Sequence, residues 1–226
     1  MPNQPLDLNS RSVQDYLKAL YKLQQGDAPV ATNALAERLQ LAPASVTAMV
    51  KKLAEAGLVD HVPYQGTRLT EQGRREALRM VRRHRIIEQF LQQVLGYAWD
   101  EVDEEAEVLE HAVSDRLVER MWQVLGQPSH DPHGSPIPTV EGELPEDRTR
   151  ALTEAPMGTP LVVRRIQERS PDELRYLQSL GLAPGVTVTV TAQAPFDGPL
   201  TLQVAGSTVT LDARMAAAIR VEPAEA

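Results

Sequence analysis

The sequence contains no cysteine among its 226 residues. Disulfides, thiolate zinc sites, iron–sulfur clusters and cysteine nucleophiles are therefore excluded, because each of them requires cysteine. Any metal ion that the protein binds must use His, Asp, Glu or carbonyl oxygen as ligands.

Long apolar runs are absent as well. No stretch of eighteen apolar residues occurs, and the first ten residues have neither the basic start nor the apolar centre of a secretory signal. We therefore expect no membrane association and a cytoplasmic location. The length and the hydrophobic content of 42% are sufficient for two or three small domains with ordinary cores.

An overall excess of positive charge is also lacking, since the net charge is −8, but the charges are unevenly distributed. Residues 11–85 hold thirteen basic and seven acidic residues, whereas residues 100–120 hold nine acidic residues and only two arginines. The basic segment could face nucleic-acid phosphates. The acidic segment favours a bound cation, because closely spaced carboxylates otherwise repel one another.

The N-terminal third has the pattern of a winged helix-turn-helix. Apolar residues at three- and four-residue spacing predict three helices, over 11–25, 32–39 and 44–55. Ser12 and Thr32 are candidate N-caps, and Gly57 stands where a C-terminal glycine is expected. Two short extended runs around Tyr64-Gln65-Gly66 predict a small hairpin, which completes the motif.

The rest of the chain predicts two long helices followed by a β domain. The helices are expected over 71–95 and 100–125, and the Pro- and Gly-rich segment 127–138 is expected to be irregular. Alternating apolar residues beyond Met157 predict a small antiparallel barrel. The expected domains are residues 1–73 (winged helix-turn-helix), 74–140 (helical) and 157–226 (β domain), with a linker over 141–156.

Four potential metal ligands share one face of the second long helix. They are Asp103, Glu107, Glu110 and His111. Oxygen and imidazole ligands suit Mn²⁺, Fe²⁺ or Zn²⁺, and the predominance of carboxylates favours Mn²⁺. A solvated acidic face with a lone histidine remains the alternative for this pattern. Further potential ligands are His84 and Glu88, one turn apart on the preceding helix, and Asp15 on the polar side of the first helix.

The third helix is the candidate DNA reader. Its small residues Pro43, Ala44, Ser45 and Thr47 stand at the N-terminal turn, where side chains reach base edges and the helix dipole favours phosphate. Lys51, Lys52 and the hairpin residue Arg68 could contact the DNA backbone. Ordinary solvated surface residues are the alternative interpretation of the same pattern.

The motifs together resemble the manganese transport regulators of the diphtheria toxin repressor family. The run APASVTAMVKKLAEAGLVDHVPYQGTRLTEQGRR resembles the DNA-binding half, and RRHRIIEQFL, EEAEVLEHAVSDRL and DPHGSPIP resemble the dimerisation and metal-binding domain. The segments LQSLGLAPG and AAAIRV resemble the Src-homology-3-like C-terminal domain, which is similar to ferrous iron transport protein A. The resemblance covers nearly the whole chain.

The resemblance implies two metal sites. The primary site would use Asp15, Glu107, Glu110 and His111, where iron-type members have Met and Cys in place of Asp15 and Glu107. A second site would use His84, Glu88 and Asp103, with Glu173 or Asp172 reaching over from the third domain. Lys18 departs from the family pattern, because a manganese-type member has Glu at this position, and the departure argues against a closely spaced two-metal cluster.

We therefore expect a mainly α protein with a small β domain that represses transcription as a homodimer on double-stranded operator DNA. Manganese is the expected effector, and an iron- or zinc-dependent regulator of the same architecture is the alternative. A metal-dependent hydrolase and a winged helix that binds protein are the rivals from other classes. We expect no enzymatic activity, because no nucleophile or general-base arrangement accompanies the ligands.

Overall fold

The computed structural model describes residues 6–8, 10–24, 26–62, 65–167 and 170–224. The chain forms two compact units. The first comprises the chain up to His84 together with Pro138–Leu144, and the second comprises Arg85–Ile137 and the chain from Pro145 onward. Each unit has a hydrophobic core of its own.

The first unit is a winged helix-turn-helix, as predicted. Its elements are α1 (Arg11–Leu23), α2 (Thr32–Leu39), α3 (Pro43–Glu55), β1 (Val59–Val62), β2 (Gly66–Leu69) and the first half of α4 (Glu71–Gln93). The two strands pair antiparallel, with Val59 opposite Leu69. Apolar residues from α1, α2 and α3 are buried together with Ala77 of α4, so the three short helices share one core.

The predicted starts of α1 and α2 are correct, but both predicted N-caps are wrong by one or two residues. The N-cap of α1 is Ser10, so Ser12 lies within the helix, and the N-cap of α2 is Ala31, so Thr32 is its first helical residue. The predicted stop at Gly57 is correct, because Gly57 has a φ of +72° and Leu58 N donates to Leu53 O. Gln25 and Tyr64, which belong to a predicted helix and turn, lie outside the described residues.

The predicted single helix over 100–125 is wrong, because two helices occupy this segment. They are α5 (Val102–Leu109) and α6 (Asp115–Val124). Ser114 between them has an extended backbone, and its side chain accepts a hydrogen bond from Leu117 N at 3.3 Å. A serine in this role caps a new helix rather than continuing the old one. Both helices pack on the second half of α4 through Ile86, Ile87 and their neighbours.

The segment 127–138 is irregular, as predicted, apart from one isolated bridge between His130 and Pro136. It nevertheless packs closely on the β domain. The carbonyl oxygen of His133 accepts a hydrogen bond from Ile166 N at 2.9 Å. Gly134 has a φ of +85°, and a Cβ atom there would collide with the carbonyl oxygen of Arg164. Glycine is therefore required at this position by both backbone conformation and space.

The C-terminal part forms a six-stranded antiparallel sheet in the order β3-β8-β4-β5-β6-β7. The elements are β3 (Arg150–Ala151), β4 (Pro160–Ile166), α7 (Pro171–Ser179), β5 (Thr187–Gln193), β6 (Leu200–Val204), β7 (Ser207–Leu211), α8 (Ala213–Ala217) and β8 (Ile219–Pro223). Strand β3 lies within the predicted linker 141–156. It pairs with β8, the last strand in the sequence of the domain. The local sequence around β3 does not reveal this pairing.

Trp99 attaches the helical part of the second unit to the β domain. Its side chain is buried in the core of the β domain, and its indole Nε1 donates to Gln178 Oε1 at 3.0 Å. Among the described residues, no helix combines the length and apolar composition needed to cross a membrane.

Candidate metal centres and DNA-binding surface

A first cluster of metal-ligating side chains lies at the end of α5. Glu107 is in the last turn of the helix, Glu110 is the C-cap residue and His111 follows in the turn. Ligand atoms of all three lie within 4.8 Å of one another. Glu110 is fully buried, and its Oε1 lies 3.6 Å from Nε2 of His111. A cation held by this cluster would compensate the cost of burying the carboxylate.

The predicted fourth ligand of this site, Asp15, belongs to the other compact unit. It lies on α1, its side chain is 31% exposed, and it forms an ion pair of 3.7 Å with Arg11. Its participation in the same metal site stays a prediction.

The second predicted ligand set comprises residues of α4 and α5. Oxygen atoms of the Glu88 and Asp103 carboxylates lie within 4.8 Å of each other. His84, one turn before Glu88 on α4, is buried and contacts Lys18, whose Nζ lies 3.1 Å from Nδ1 of His84. Lys18 is itself buried, with 4% of its surface exposed. The residue that departs from the family pattern is therefore in direct contact with a predicted ligand.

A third cluster, of Glu88, Asp131 and His133, was not predicted from the sequence. All three residues are buried, and their ligand atoms lie within 4.8 Å of one another. His133 Nε2 donates to the carbonyl oxygen of Trp99 at 2.7 Å, which leaves Nδ1 as the acceptor nitrogen, 3.8 Å from Glu88 Oε1. A backbone carbonyl that fixes the tautomer in this way orients a histidine for metal binding.

Burial and charge make Asp131 unusual. Its pKa is raised to about 6, first by burial and second by the negative charge of Glu88, whereas Arg85 acts in the opposite direction. The guanidinium of Arg85 lies 3.4 Å from Asp131 Oδ2, and Asp131 Oδ1 accepts from the backbone N–H groups of His133 and Ser135. A carboxylate that resists ionisation gains from a nearby cation.

The only sequence signal for this cluster is the Asp-Pro-His string within the irregular segment. The string contributes to the family resemblance, but it does not by itself indicate a metal ligand. Nothing local indicates that it meets Glu88, which lies more than forty residues earlier in the chain.

The predicted contributions of Asp172 and Glu173 are not supported. In the described part of the chain, neither residue belongs to a group of potential ligands. Glu173 accepts from Arg214 at 3.1 Å, and Asp172 pairs with Arg175. Both carboxylates have arginine partners within the β domain, which already compensate their charge.

Most of the residues predicted to contact DNA are exposed, and all of them except Arg68 lie on α3. Pro43 is at the first helical position, and Ala44 and Ser45 follow it on the exposed N-terminal turn. Thr47 is half-buried, and its hydroxyl donates to Pro43 O at 2.9 Å. Lys51 and Lys52 are exposed near the other end of α3, and Arg68 is exposed on β2. Several residues that are predicted to contact DNA are thus accessible to it.

The second unit exposes apolar side chains, in line with the predicted dimer surface. Of the apolar side chains in residues 71–125, Ile86, Ile87, Leu91 and Val118 belong to the internal core. Others remain exposed, namely Val94, Val108 and Leu117, with exposed fractions of 49%, 59% and 45%. Such exposed apolar residues are available to a partner.

Three regions of the chain match known protein families. Residues 9–67 match the iron dependent repressor N-terminal DNA binding domain, and residues 70–139 match the iron dependent repressor metal binding and dimerisation domain. Residues 150–223 match the FeoA domain. The predicted fold class is therefore confirmed, with a helix-turn-helix domain, a helical domain and a FeoA-like, Src-homology-3-like β domain.

Similar proteins and solved structures cover nearly the whole chain. The iron-dependent repressor IdeR of Mycobacterium tuberculosis (strain ATCC 25618 / H37Rv) is 32% identical over 220 residues, which are 92% of this chain and 95% of IdeR. A manganese-dependent transcriptional repressor solved in complex with manganese is 43% identical, with a TM-score of 0.86, over 93% of this chain and 99% of that one. ScaR with bound Zn²⁺ is 37% identical, with a TM-score of 0.79, over 93% and 99% of the two chains. The chain therefore belongs to the diphtheria toxin repressor family of metal-dependent transcriptional repressors.

Proposed function

We propose that this repressor responds to manganese, binds operator DNA as a metal-loaded homodimer and controls metal-homeostasis genes. The types of ligand in its candidate metal centres are the main support for this proposal. Each of the two clusters, Glu107–Glu110–His111 and Glu88–Asp131–His133, offers two carboxylates and one imidazole. The chain has no cysteine that could add a thiolate. Hard oxygen ligands with little imidazole favour Mn²⁺ over softer ions.

In this proposal, Glu107, Glu110 and His111 hold the activating ion, and Asp15 is the further ligand that the family resemblance implies. A bound divalent ion would supply a positive centre that offsets the charge of these carboxylates. By sharing that ion, Asp15 would restrict the position of α1. Because α1 and α3 share one hydrophobic core, a restriction on α1 is transmitted to the recognition helix.

The recognition helices of two protomers then act together. Dimers of helix-turn-helix proteins read half-sites about 34–36 Å apart, so a small change in helix spacing changes the affinity for DNA. The coupling is reciprocal, and DNA should tighten metal binding by the factor with which metal tightens DNA binding.

An iron- or zinc-dependent regulator is the second candidate. It is favoured by the 32% identity to a repressor named for its dependence on iron and by the structural similarity to ScaR with bound Zn²⁺. We prefer manganese because the chain has no cysteine that could supply a thiolate, which would favour a softer metal.

A titration of DNA binding against free metal tests the proposal. Duplexes would be selected from a random-sequence library in the presence of Mn²⁺ and then titrated with Mn²⁺, Fe²⁺, Zn²⁺ and chelator at several salt concentrations. We expect Mn²⁺ to produce specific, salt-dependent binding that chelator reverses. DNA binding that does not depend on any of the metals, or that only Fe²⁺ activates, would contradict the proposal.

A matched pair of variants links this response to the cluster. Glu110→Gln removes a buried carboxylate of the first cluster, whereas Glu104→Gln removes an exposed one on α5. We expect only the first variant to require a higher Mn²⁺ concentration for DNA binding.

We also propose that the acidic clusters serve regulation and not catalysis. Metal-dependent hydrolysis of ester or phosphoester substrates by the Mn²⁺-loaded protein, abolished in Glu110→Gln, would contradict this assignment.

A further inference from the structure

The contact between Lys18 and His84 is unusual for a site at which the family resemblance implies a metal ion. Lys18 lies in the middle of α1 and His84 on α4, and only 4% and 5% of their surfaces are exposed. Burying an ammonium group is unfavourable unless it gains polar partners. The 3.1 Å contact between Lys18 Nζ and His84 Nδ1 supplies one such partner.

Hydrogen-bond chemistry determines the state of the His84 ring. A lysine ammonium has three donors and no acceptor, so His84 Nδ1 accepts the hydrogen bond with its lone pair. The proton of the neutral imidazole is then on Nε2. In this tautomer neither nitrogen has a lone pair available for a metal ion, because Nδ1 is engaged and Nε2 is protonated.

We propose that the Lys18 ammonium takes the place of a metal ion beside His84, so that this chain links α1 to α4 with a cation of its own. His84 is then a partner of Lys18 and not a metal ligand. Glu88, one turn further along α4, belongs to the cluster with Asp131 and His133. Lys18 thereby sets the number of ions that each protomer binds. The inference rests on the proposed function, because it concerns the metal sites of that regulator.

Metal stoichiometry tests this proposal. The amount of Mn²⁺ bound per protomer at saturation would be measured by equilibrium dialysis for the wild type, His84→Gln, Lys18→Glu and the double variant Lys18→Glu/His84→Gln. We expect the wild type and His84→Gln to bind equal amounts of Mn²⁺. Lys18→Glu removes the competing cation and supplies a carboxylate, so we expect one additional ion per protomer, which the double variant loses again.

The matched control is Lys22, an exposed residue one turn further along α1. Lys22→Glu makes the same change of charge on the same helix, and we expect it to leave the stoichiometry unchanged. Loss of one ion from His84→Gln in an otherwise wild-type chain would overturn the proposal, as would an unchanged stoichiometry in a folded Lys18→Glu variant.

The tautomer of His84 gives an independent measurement on the wild-type chain. In protein labelled with ¹⁵N at histidine, nuclear magnetic resonance should show His84 protonated at Nε2 without metal, and unchanged when diamagnetic Cd²⁺ replaces Mn²⁺. The His84 signals would be assigned with His84→Gln. A direct ¹¹³Cd coupling to either ring nitrogen of His84 would overturn the proposal, even if Lys18→Glu fails to fold.

The inference and the proposed function can fail separately. If Mn²⁺ fails to promote DNA binding, the proposed function is wrong, but the tautomer and the stoichiometry still report on Lys18. If Mn²⁺ promotes DNA binding and His84 coordinates Cd²⁺, the function stands and the assignment of Lys18 is wrong.

Discussion

Asp131 combines burial, a negative neighbour and a nearby arginine, and its ionisation is therefore coupled to stability. Its pKa of about 6 in the folded protein exceeds the ordinary value of 3.8. The folded state consequently binds a proton that the unfolded state has released between these two pH values. The stabilisation from this proton is fully present below the ordinary pKa and is lost as the pH rises through about 6. At neutral pH, the ionised side chain destabilises the metal-free protein.

The substitution Asp131→Asn should therefore have opposite effects on stability and on metal binding. Asn retains the oxygen that accepts from His133 N and Ser135 N but carries no charge. We expect the metal-free variant to be more stable at pH 7, by on the order of 1–3 kcal/mol. We also expect weaker Mn²⁺ binding at this cluster. Chemical denaturation and metal titration would measure the two effects, and a less stable metal-free variant would contradict the account of Asp131.

Competition with protons should also weaken metal binding by the wild-type cluster at low pH. Because Asp131 must be ionised to act as a ligand, we expect the Mn²⁺ affinity of the Glu88–Asp131–His133 cluster to fall as the pH decreases through about 6. Asp131→Asn provides the control, since the Asp131 contribution to this pH dependence should be absent from it.

The identities of Asp15 and Glu107 should decide which metal activates the repressor. The double replacement Asp15→Met with Glu107→Cys retains Glu110 and His111 but adds a thioether and a thiolate, which softer ions accept. We expect activation of DNA binding to shift from Mn²⁺ toward Fe²⁺, Co²⁺ or Zn²⁺. The measurement is DNA affinity against free metal concentration, because metal affinity alone follows the Irving–Williams order. An unchanged Mn²⁺ response would show that these residues do not form the activating site.

At the level of secondary-structure elements, α3 should separate sequence reading from phosphate attraction. The Thr47 hydroxyl already donates to Pro43 O, so its methyl group and its remaining acceptor capacity are available to bases. We expect Thr47→Ala to change the preference among operator variants by about 1–3 kcal/mol, whereas Lys51→Ala should weaken all duplexes alike and flatten the salt dependence. If both variants lose affinity equally for all duplexes, α3 does not recognise the DNA sequence.

The irregular segment 127–138 should depend on Gly134 for its position on the β domain. Gly134→Ala places a Cβ against the carbonyl oxygen of Arg164, whereas Gly126→Ala, at a similar positive φ, meets nothing within 4 Å. The left-handed backbone alone costs about 1–2 kcal/mol in either variant. We expect urea denaturation to show a clearly larger loss for Gly134→Ala. Equal losses of stability in the two variants would mean that the segment can move away from the sheet without destabilising the protein.

At the level of the whole molecule, the exposed apolar side chains of the second unit should determine assembly. Val108 and Leu117 are 59% and 45% exposed, although they belong to the helices of the metal-binding region. We expect Val108→Glu with Leu117→Glu to shift the proposed homodimer toward monomer, because charge is unfavourable in an apolar interface. Sedimentation at micromolar concentration would measure the shift. Met157→Glu, at an exposed apolar position in a turn, is the control and should leave assembly unchanged.

The sequence by itself determined the features that depend on neighbours along the chain. Apolar periodicity revealed α1, α2, α3 and α4, alternation revealed the β character beyond Met157, and the absence of cysteine restricted the ligands to oxygen and nitrogen. The group of Glu107, Glu110 and His111 was also accessible, because all three lie within five residues of chain.

The tertiary structure decided the features that join distant segments. Asp131 and His133 meet Glu88 only because the irregular segment packs back on α4, and Lys18 contacts His84 across 66 residues of sequence. Strand β3 is regular only because β8 supplies its hydrogen-bond partner. Local periodicity carries no information about such pairs, since they form when separate elements bury their apolar faces together and bring the attached polar groups into contact.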